Sequence, residues 1–316
     1  MLCAGMLPVV LLTGCMQTAH PETTLTEYEK TSTGEGYIYR MTGRAQNICT
    51  GEPLLSEDAV LSLLHVNSAA LMDLTDKKIV YGHNMLEHFA PASTTKIMTA
   101  LLTLENCSLD EEVTVSAKAA SYSGVYTVAG LKEGDKVTVK NLLYGLMLPS
   151  GNDAATALAE YISGSVEDFA VMMTKRAKEL GARNTQFLNA NGIDMEGHYT
   201  CGYDLYLIFQ EALKYPEFRE IIKTAEYSAP IRNVYGYVRK ESYIQTDEYI
   251  TGAAKMPEGI TVLGGKTGTT DQAGKCLVLL AENKASKPYI AVILGAKDGP
   301  DLYKNMNALL SCANEN

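Results

Sequence analysis

Pro91-Ala92-Ser93-Thr94-Thr95-Lys96, running into Ile97-Met98-Thr99-Ala100-Leu101-Leu102-Thr103-Leu104-Glu105, is the stretch around which this chain is organised. The first six residues read as a turn. The rest puts Ile97, Ala100, Leu101 and Leu104 on one stripe at helical spacing. Pro91 suits the turn, and Ser93 suits the start of the helix. Ser93 and Lys96 are three apart and share a face of the first turn. A serine hydroxyl is a poor nucleophile until a base takes its proton, and a lysine can be that base where burial lowers its pKa. The positive end of the helix also favours negative charge on the serine oxygen. Ser-x-x-Lys alone is better read as a capping serine and a solvated lysine one turn on, so the rest of the chain decides.

The 316 residues allow one large domain or two small ones. The 27 basic and 37 acidic side chains leave a net charge of −10, and no basic run is present. That balance argues against nucleic acid as a partner, and an anionic substrate would need a locally cationic site. Of the 7 cysteines, Cys49, Cys107, Cys201, Cys276 and Cys312 lie beyond the N-terminal segment described next. An odd number leaves at least one unpaired, and no Cys-x-x-Cys spacing points to zinc or redox chemistry. His65, His83, His88 and His198 lack metal-ligand spacing, so neither a metal nor another cofactor is expected.

Met6-Leu7-Pro8-Val9-Val10-Leu11-Leu12 is an apolar core too short to span a membrane as a stable helix. It ends in Leu12-Thr13-Gly14-Cys15, which resembles the lipobox of bacterial lipoproteins. That resemblance implies a signal peptide over residues 1–15, a lipid on Cys15, and a protein held at the outer face of the plasma membrane. No Lys or Arg precedes the apolar core, a departure from the usual signal. Residues 16–55 are polar with little periodicity and read as a tether.

The body is expected to begin at residue 56, with a helical lead-in over Ala59 to Leu64. Ala69 to Asp73 and Lys78 to Tyr81 flank Leu74-Thr75-Asp76-Lys77 and predict a strand hairpin. Asp135 to Val139 is a short strand-like piece. Lys140 to Leu148, Asp153 to Ser163, Val166 to Leu180, Tyr203 to Lys214 and Pro216 to Lys223 read as helices, with Ser165 starting and Gly181 stopping the third. Thr261 to Leu263, Cys276 to Leu280 and Tyr289 to Leu294 are apolar, β-branched strands, and Asp301 to Cys312 closes the chain as a helix. Strands at both ends with helices between predict a mixed α/β (α+β) fold. Its antiparallel sheet is completed by the two termini and flanked by helices, and it carries an all-helical lobe.

Two more constellations fall at joints of this layout. Leu148-Pro149-Ser150-Gly151-Asn152-Asp153 lies between two helices, where a loop can project Ser150 and Asn152 into a cleft. Its plainer reading is a helix-breaking turn with an Asx cap. Gly264-Gly265-Lys266-Thr267-Gly268-Thr269-Thr270 lies on a strand. Glycines inside a strand often mark a ligand's close approach to the backbone, and Lys266 adds a fixed cation.

Together, Ser-x-x-Lys, Ser-x-Asn and Lys-Thr-Gly in that order resemble the penicillin-recognising serine enzymes. The text of Pro91 to Ala100, Gly145 to Ala155, Gly192 to Tyr199 and Lys266 to Thr270 is similar to low-molecular-weight penicillin-binding proteins of the serine-type D-alanyl-D-alanine carboxypeptidase family. The resemblance covers about Ala59 to Ala296 and makes residues 56–316 a D,D-peptidase domain. It implies that Ser93 attacks the penultimate D-alanine of a peptidoglycan stem peptide, forming an acyl-enzyme, and that β-lactams acylate the same oxygen. Lys96 would be the base, and Ser150 would relay a proton to the leaving amine. Asn152 would hold the substrate backbone, and Lys266 and Thr267 its terminal carboxylate. Gly268 would let the substrate lie along the strand, and the backbone N–H groups of Ser93 and Thr269 would form the oxyanion hole.

The family often carries a second, β-rich domain and a C-terminal membrane tail. Here the sequence stops at Asn316, so the N-terminal lipid is expected to serve as anchor. Arg232 to Gly259 does not match the family text, which leaves Arg232 and Arg239 as candidates for an arginine assisting carboxylate binding. A class A β-lactamase would need a carboxylate near Thr185-Gln186-Phe187-Leu188-Asn189, where none stands, and its middle motif is Ser-Asp-Asn rather than Ser-Gly-Asn. A D,D-endopeptidase or transpeptidase would share every named residue. A non-catalytic wall-peptide-binding lipoprotein would not need all of them.

Overall fold

A computed structural model describes residues 27–33, 36–42, 48–56, 65–124 and 126–314. The signal peptide, Cys15 and the lead-in at Ala59 to Leu64 lie outside the described residues. The stretch read as a tether is not uniform. Glu27–Thr33 (β1) and Gly36–Thr42 (β2) pair as an antiparallel hairpin, in register from Glu27–Thr42 to Thr33–Gly36. Its sequence signal was the two-residue connection Gly34-Glu35 between two runs of strand formers.

Ser68–Asp73 (β3) and Lys78–His83 (β4) form the expected hairpin. Residues 48–55 run beside β4, with the Leu54 and Leu55 N–H groups donating to the Ile79 and Val80 carbonyls, each at 3.0 Å. An edge strand presents unpaired backbone groups, and this segment satisfies two of them. Cys49 is buried, its N–H donating to Tyr206 Oη and its carbonyl accepting from Tyr203 Oη, both at 2.9 Å. The packed body therefore includes residues ahead of the expected boundary at 56.

The helical lobe follows. Its members are Lys96–Asn106 (α1), Val139–Met147 (α2), Asn152–Ser163 (α3), Val166–Glu179 (α4), Gly202–Ala212 (α5) and Pro216–Lys223 (α6). Local chemistry sets their ends as the sequence suggested: Ser165 Oγ accepts the Asp168 N–H at 3.0 Å, and Gly181 after α4 has φ +90°. Glu112–Thr114 (β5), Lys136–Thr138 (β6), Glu226–Arg232 (β7) and Val238–Ile244 (β8) make a second antiparallel sheet in that order. Beyond β6, this sheet was not foreseen. In β7 only Ala229 and Ile231 are buried, a weak alternation to read from sequence. Tertiary contacts hold it: Asn141 on α2 bonds the Pro230 carbonyl and Tyr227 Oη, and the Tyr144 and Tyr227 rings stack with centroids 3.6 Å apart.

The short helix Glu248–Thr251 (α7) leads into Ile260–Thr270 (β9), Gly274–Asn283 (β10) and Pro288–Ala296 (β11), and Gly299–Ser311 (α8) closes the chain. The central sheet has the order β4-β3-β11-β10-β9, all antiparallel. Alternate residues of β11 serve two cores. Ile290, Val292 and Leu294 face the helical lobe, while Tyr289, Ala291 and Ile293 pack with Leu302, Met306 and Leu309 of α8. Burial on both faces explains why β10 and β11 read as unbroken apolar runs. The strand order places β9, which carries Lys266-Thr267-Gly268, at an edge of the sheet.

Candidate active site

Ser93 lies on a 3₁₀ turn, Ala92–Thr95, and α1 proper begins at Lys96. The expectation that Ser93 starts the helix is corrected by one turn, and its side chain makes no cap. Ala92 sits at φ +48°, a left-handed conformation rare for alanine and costing about 1–3 kcal/mol. Two glycines allow this turn to be gripped from both sides. A Cβ on Gly192 would meet the Ala92 carbonyl oxygen at 1.8 Å, and one on Gly268 would meet Ala92 Cβ and Ser93 N at 3.0 Å each. Close packing over-determines the strained turn and holds the Ser93 hydroxyl in place.

Lys96 is fully buried. Its Nζ lies 2.8 Å from Ser93 Oγ, 2.8 Å from Asn152 Oδ1 and 2.7 Å from the Asn191 carbonyl oxygen. Burial, and then the Lys266 ammonium nearby, push its pKa well below the ordinary lysine value, against an opposing pull from Asp153. A neutral amine has two N–H donors and one lone pair. Asn152 Oδ1 and the Asn191 carbonyl are pure acceptors and take the two donors. The lone pair is then left for the Ser93 O–H, the arrangement a general base needs.

Ser150 precedes α3 at φ +62°, its backbone fixed by Thr127, whose Oγ1 donates to the Ser150 carbonyl at 2.7 Å. Asp153 braces the same loop, accepting from the N–H groups of Ala129, Leu131 and Ala154 at 2.7, 3.0 and 2.8 Å. Asn152 thereby points its amide oxygen at Lys96. Ser150 Oγ accepts from Lys266 Nζ at 3.0 Å, and no hydrogen bond joins it to Lys96.

Lys266 on β9 is also fully buried, donating to Ser150 Oγ and, at 2.8 Å, to the Thr267 carbonyl. Burial lowers its pKa to about 7, with Asp247 pulling the other way. The three glycines of this strand have different uses. A Cβ on Gly264 (φ +128°) would strike the Ile222 carbonyl of α6 at 2.2 Å, and one on Gly265 the Val278 carbonyl of β10 at 2.2 Å. Those two serve packing, not ligand approach as the sequence suggested; of the three, only Gly268 adjoins Ser93. Thr267 Oγ1 bonds Thr246 Oγ1 at 2.5 Å. Ser93, Ser150, Thr246, Thr267, Gly268 and Thr269 line one cleft of about 280 Å³.

Three motifs distant in sequence thus meet, Lys96 bonding Ser93 and Asn152, and Lys266 bonding Ser150. A family model described as D-alanyl-D-alanine carboxypeptidase matches residues 57–298. The chain belongs to that family. DacF, a D-alanyl-D-alanine carboxypeptidase of Bacillus subtilis, is 36% identical over 256 residues, 78% of this chain and 61% of DacF. The chain therefore spans about three fifths of that relative's length. The D-alanyl-D-alanine carboxypeptidase of Streptomyces sp. strain K15 is 38% identical over 229 residues, 68% of this chain and 77% of the relative. The crystal structure of the Streptomyces K15 DD-transpeptidase superimposes with a TM-score of 0.73 at 31% identity, covering 79% of this chain and 97% of that one.

Within this member of the D-alanyl-D-alanine carboxypeptidase family, the site has parts that sequence reasoning missed. The Asn191 carbonyl that receives Lys96 belongs to a loop pinned by side chains. Asn189 Oδ1 accepts from Gly192 N–H at 2.7 Å, and Asn191 Nδ2 donates to Tyr122 Oη at 2.9 Å. A backbone acceptor has no sequence signature; the run of asparagines around Gly192 was the available hint. His198 accepts from the Leu188 N–H at Nδ1 (3.1 Å), so its Nε2–H donates to Thr95 Oγ1 at 3.0 Å, and burial lowers its pKa to about 4. It is a neutral brace for the turn that carries Ser93. Asp194 takes the Thr270 hydroxyl at 2.7 Å and fixes the end of β9.

Neither candidate arginine lines the cleft. Arg232 pairs with Glu112. Arg239 grips Asp135 through two bonds of 2.9 and 2.7 Å and also donates to the Gly130 carbonyl. Among the described residues, no cluster of His, Cys, Asp and Glu suits a metal ion, and Cys49, Cys107, Cys201, Cys276 and Cys312 are free thiols.

Proposed function

We propose that this protein is a serine-type D-alanyl-D-alanine carboxypeptidase, removing the terminal D-alanine from peptidoglycan stem peptides, and that β-lactams acylate the same serine. The observation that carries the reading is the fully buried Lys96 amine 2.8 Å from Ser93 Oγ, with its other two neighbours both acceptors.

Ser93 Oγ attacks the penultimate D-alanine carbonyl while its proton moves to Lys96 Nζ. The oxyanion forms against the backbone N–H groups of Ser93 and Thr269, where losing one donor typically costs about 3 kcal/mol of barrier. The C–N bond then breaks, and Ser150 passes a proton to the departing D-alanine nitrogen. At rest Ser150 is bonded to Lys266, so it must turn toward Lys96 to be resupplied; rotation about one bond suffices for a hydroxyl. Water attacks the acyl-enzyme, gives its proton to Lys96, and restores Ser93. Asn152 holds the substrate backbone, Lys266 and Thr267 face its carboxylate end, and Gly268 leaves room along the open edge of β9. A locally cationic cleft reconciles an anionic substrate with a chain of net charge −10.

The stem peptide lies outside the plasma membrane, and the reading extends to anchorage there through a lipid on Cys15. Its support is the sequence Leu12-Thr13-Gly14-Cys15. No helix among the described residues is long and apolar enough to cross a membrane. Mass spectrometry of the mature N-terminus tests it: an unmodified N-terminus elsewhere than Cys15 removes the anchor.

The deciding experiment incubates the purified protein with a pentapeptide ending in D-Ala-D-Ala, in parallel with a labelled penicillin. Free D-alanine, together with labelling that Ser93→Ala abolishes, is the expected result. A cross-linked peptide instead of hydrolysis would make it a transpeptidase, the word used for the K15 structure. Rapid turnover of the penicillin would make it a β-lactamase. Labelling that survives Ser93→Ala removes the site itself.

A further inference from the structure

The carboxylate end of the substrate needs a cation that is charged and reachable. Lys266 meets that need only in part. It is fully buried, it already donates to Ser150 Oγ and the Thr267 carbonyl, and burial lowers its pKa to about 7. Arg232 and Arg239 are engaged with Glu112 and Asp135. Glu248 contributes an acid to the cleft wall, which repels a carboxylate unless a cation opposes it.

Among the described residues that line this cleft, Lys275 is the one Lys or Arg. It stands on β10 directly opposite Thr269 of β9, and directly opposed residues of an antiparallel pair project from the same face. Thr267, two residues earlier on β9, shares that face. Lys275 is partly exposed and makes no ion pair or hydrogen bond among the described residues, Glu248 included. The cleft thus holds two threonine hydroxyls beside an uncommitted ammonium, a donor set suited to a carboxylate.

We infer that Lys275 is the specificity-determining cation of this cleft, pairing with the free C-terminal carboxylate of the peptide, or of a β-lactam, across Thr269. The inference rests on the proposed D,D-peptidase function and adds a selection rule to it. Lys266 and Thr267 still face the carboxylate end, and Lys275 makes the site favour chain ends over internal or amidated bonds.

The test compares acylation of Ser93 by benzylpenicillin and by its methyl ester in wild type, Lys275→Met and Lys275→Arg. A charged hydrogen bond contributes about 1.5–3 kcal/mol, so Lys275→Met should lose about ten- to a hundredfold in rate constant with the acid. The ester rate should be unchanged, which also reports that the variant is folded. Lys275→Arg should recover most of the acid rate. Equal losses with acid and ester, or no loss with either, overturns the inference and leaves the proposed function standing. Wild-type protein that neither compound acylates at Ser93 overturns the proposed function itself.

Discussion

Gly268 on β9 and Ser93 on the 3₁₀ turn Ala92–Thr95 approach so closely that a Cβ at position 268 would stand 3.0 Å from the Ser93 backbone nitrogen. That nitrogen is a proposed oxyanion donor, so the glycine keeps the hole open as well as the strand edge. Gly268→Ala should therefore slow acylation by about a hundredfold or more, the usual effect of spoiling one such donor. Stopped-flow acylation with one penicillin measures it. A variant that acylates at the wild-type rate would show that the turn can yield and that this contact is not what shapes the hole.

Lys96 and Lys266 have opposite requirements. In the proposed mechanism Lys96 acts once it has lost its proton, whereas Lys266 contributes positive charge only while it keeps its own. The acylation rate should rise as Lys96 deprotonates and fall as pH climbs through about 7, where Lys266 titrates. The two limbs belong to the coupled pair. Lys266→Arg keeps its charge at every accessible pH and should remove the falling limb while retaining a measurable rate. Lys96→Arg cannot supply a neutral base and should lose orders of magnitude. Equal losses in both variants would mean that the base and cation roles are misassigned.

His198 makes stability pH-dependent, and the sign follows from its buried neutral state. Burial lowers its folded pKa from 6.5 to about 4. Between those values the unfolded chain binds the proton and the folded chain does not, so stability falls as pH drops. At pH 4.5 this one group removes about 2–3 kcal/mol relative to pH 7. Urea unfolding at the two pH values should show a smaller difference for His198→Asn than for wild type. Parallel pH dependences in the two proteins would sink the assignment.

Arg239 should matter for stability and not for substrate. Asp135 is buried, and Arg239 is its bidentate partner, with about a quarter of the arginine side chain exposed. Removing one partner of a buried pair typically costs about 3–5 kcal/mol, so with partial exposure Arg239→Met should cost about 2 kcal/mol. Its acylation by an acid and by the corresponding ester should keep the wild-type ratio. A selective loss with the acid would return Arg239 to the list of carboxylate ligands.

The sequence was sufficient for whatever is written in local chemistry. Periodicity and stops located the helices, as with Ser165 and Gly181 around α4. Continuous apolar runs located β10 and β11 because both faces of the sheet are covered. Ser-x-x-Lys, Ser-x-Asn and Lys-Thr-Gly named the side chains that meet in one cleft.

Tertiary structure decided what backbone atoms and long-range packing control. The 3₁₀ turn at Ala92–Thr95, rather than a helix start at Ser93, depends on Gly192 and Gly268 pressing on it from either side. The second acceptor for the Lys96 amine is the Asn191 carbonyl, a group every residue carries and no motif can mark. Gly264, Gly265 and Gly268 are the same letter in sequence. Only their neighbours, an α6 carbonyl, a β10 carbonyl and the turn that carries Ser93, tell them apart. Arg232 and Arg239 stay out of the cleft lining and bond instead to Glu112 and Asp135, more than a hundred residues away along the chain. A short motif fixes which groups exist; the desolvation and partners that tune those groups are properties of the folded surroundings.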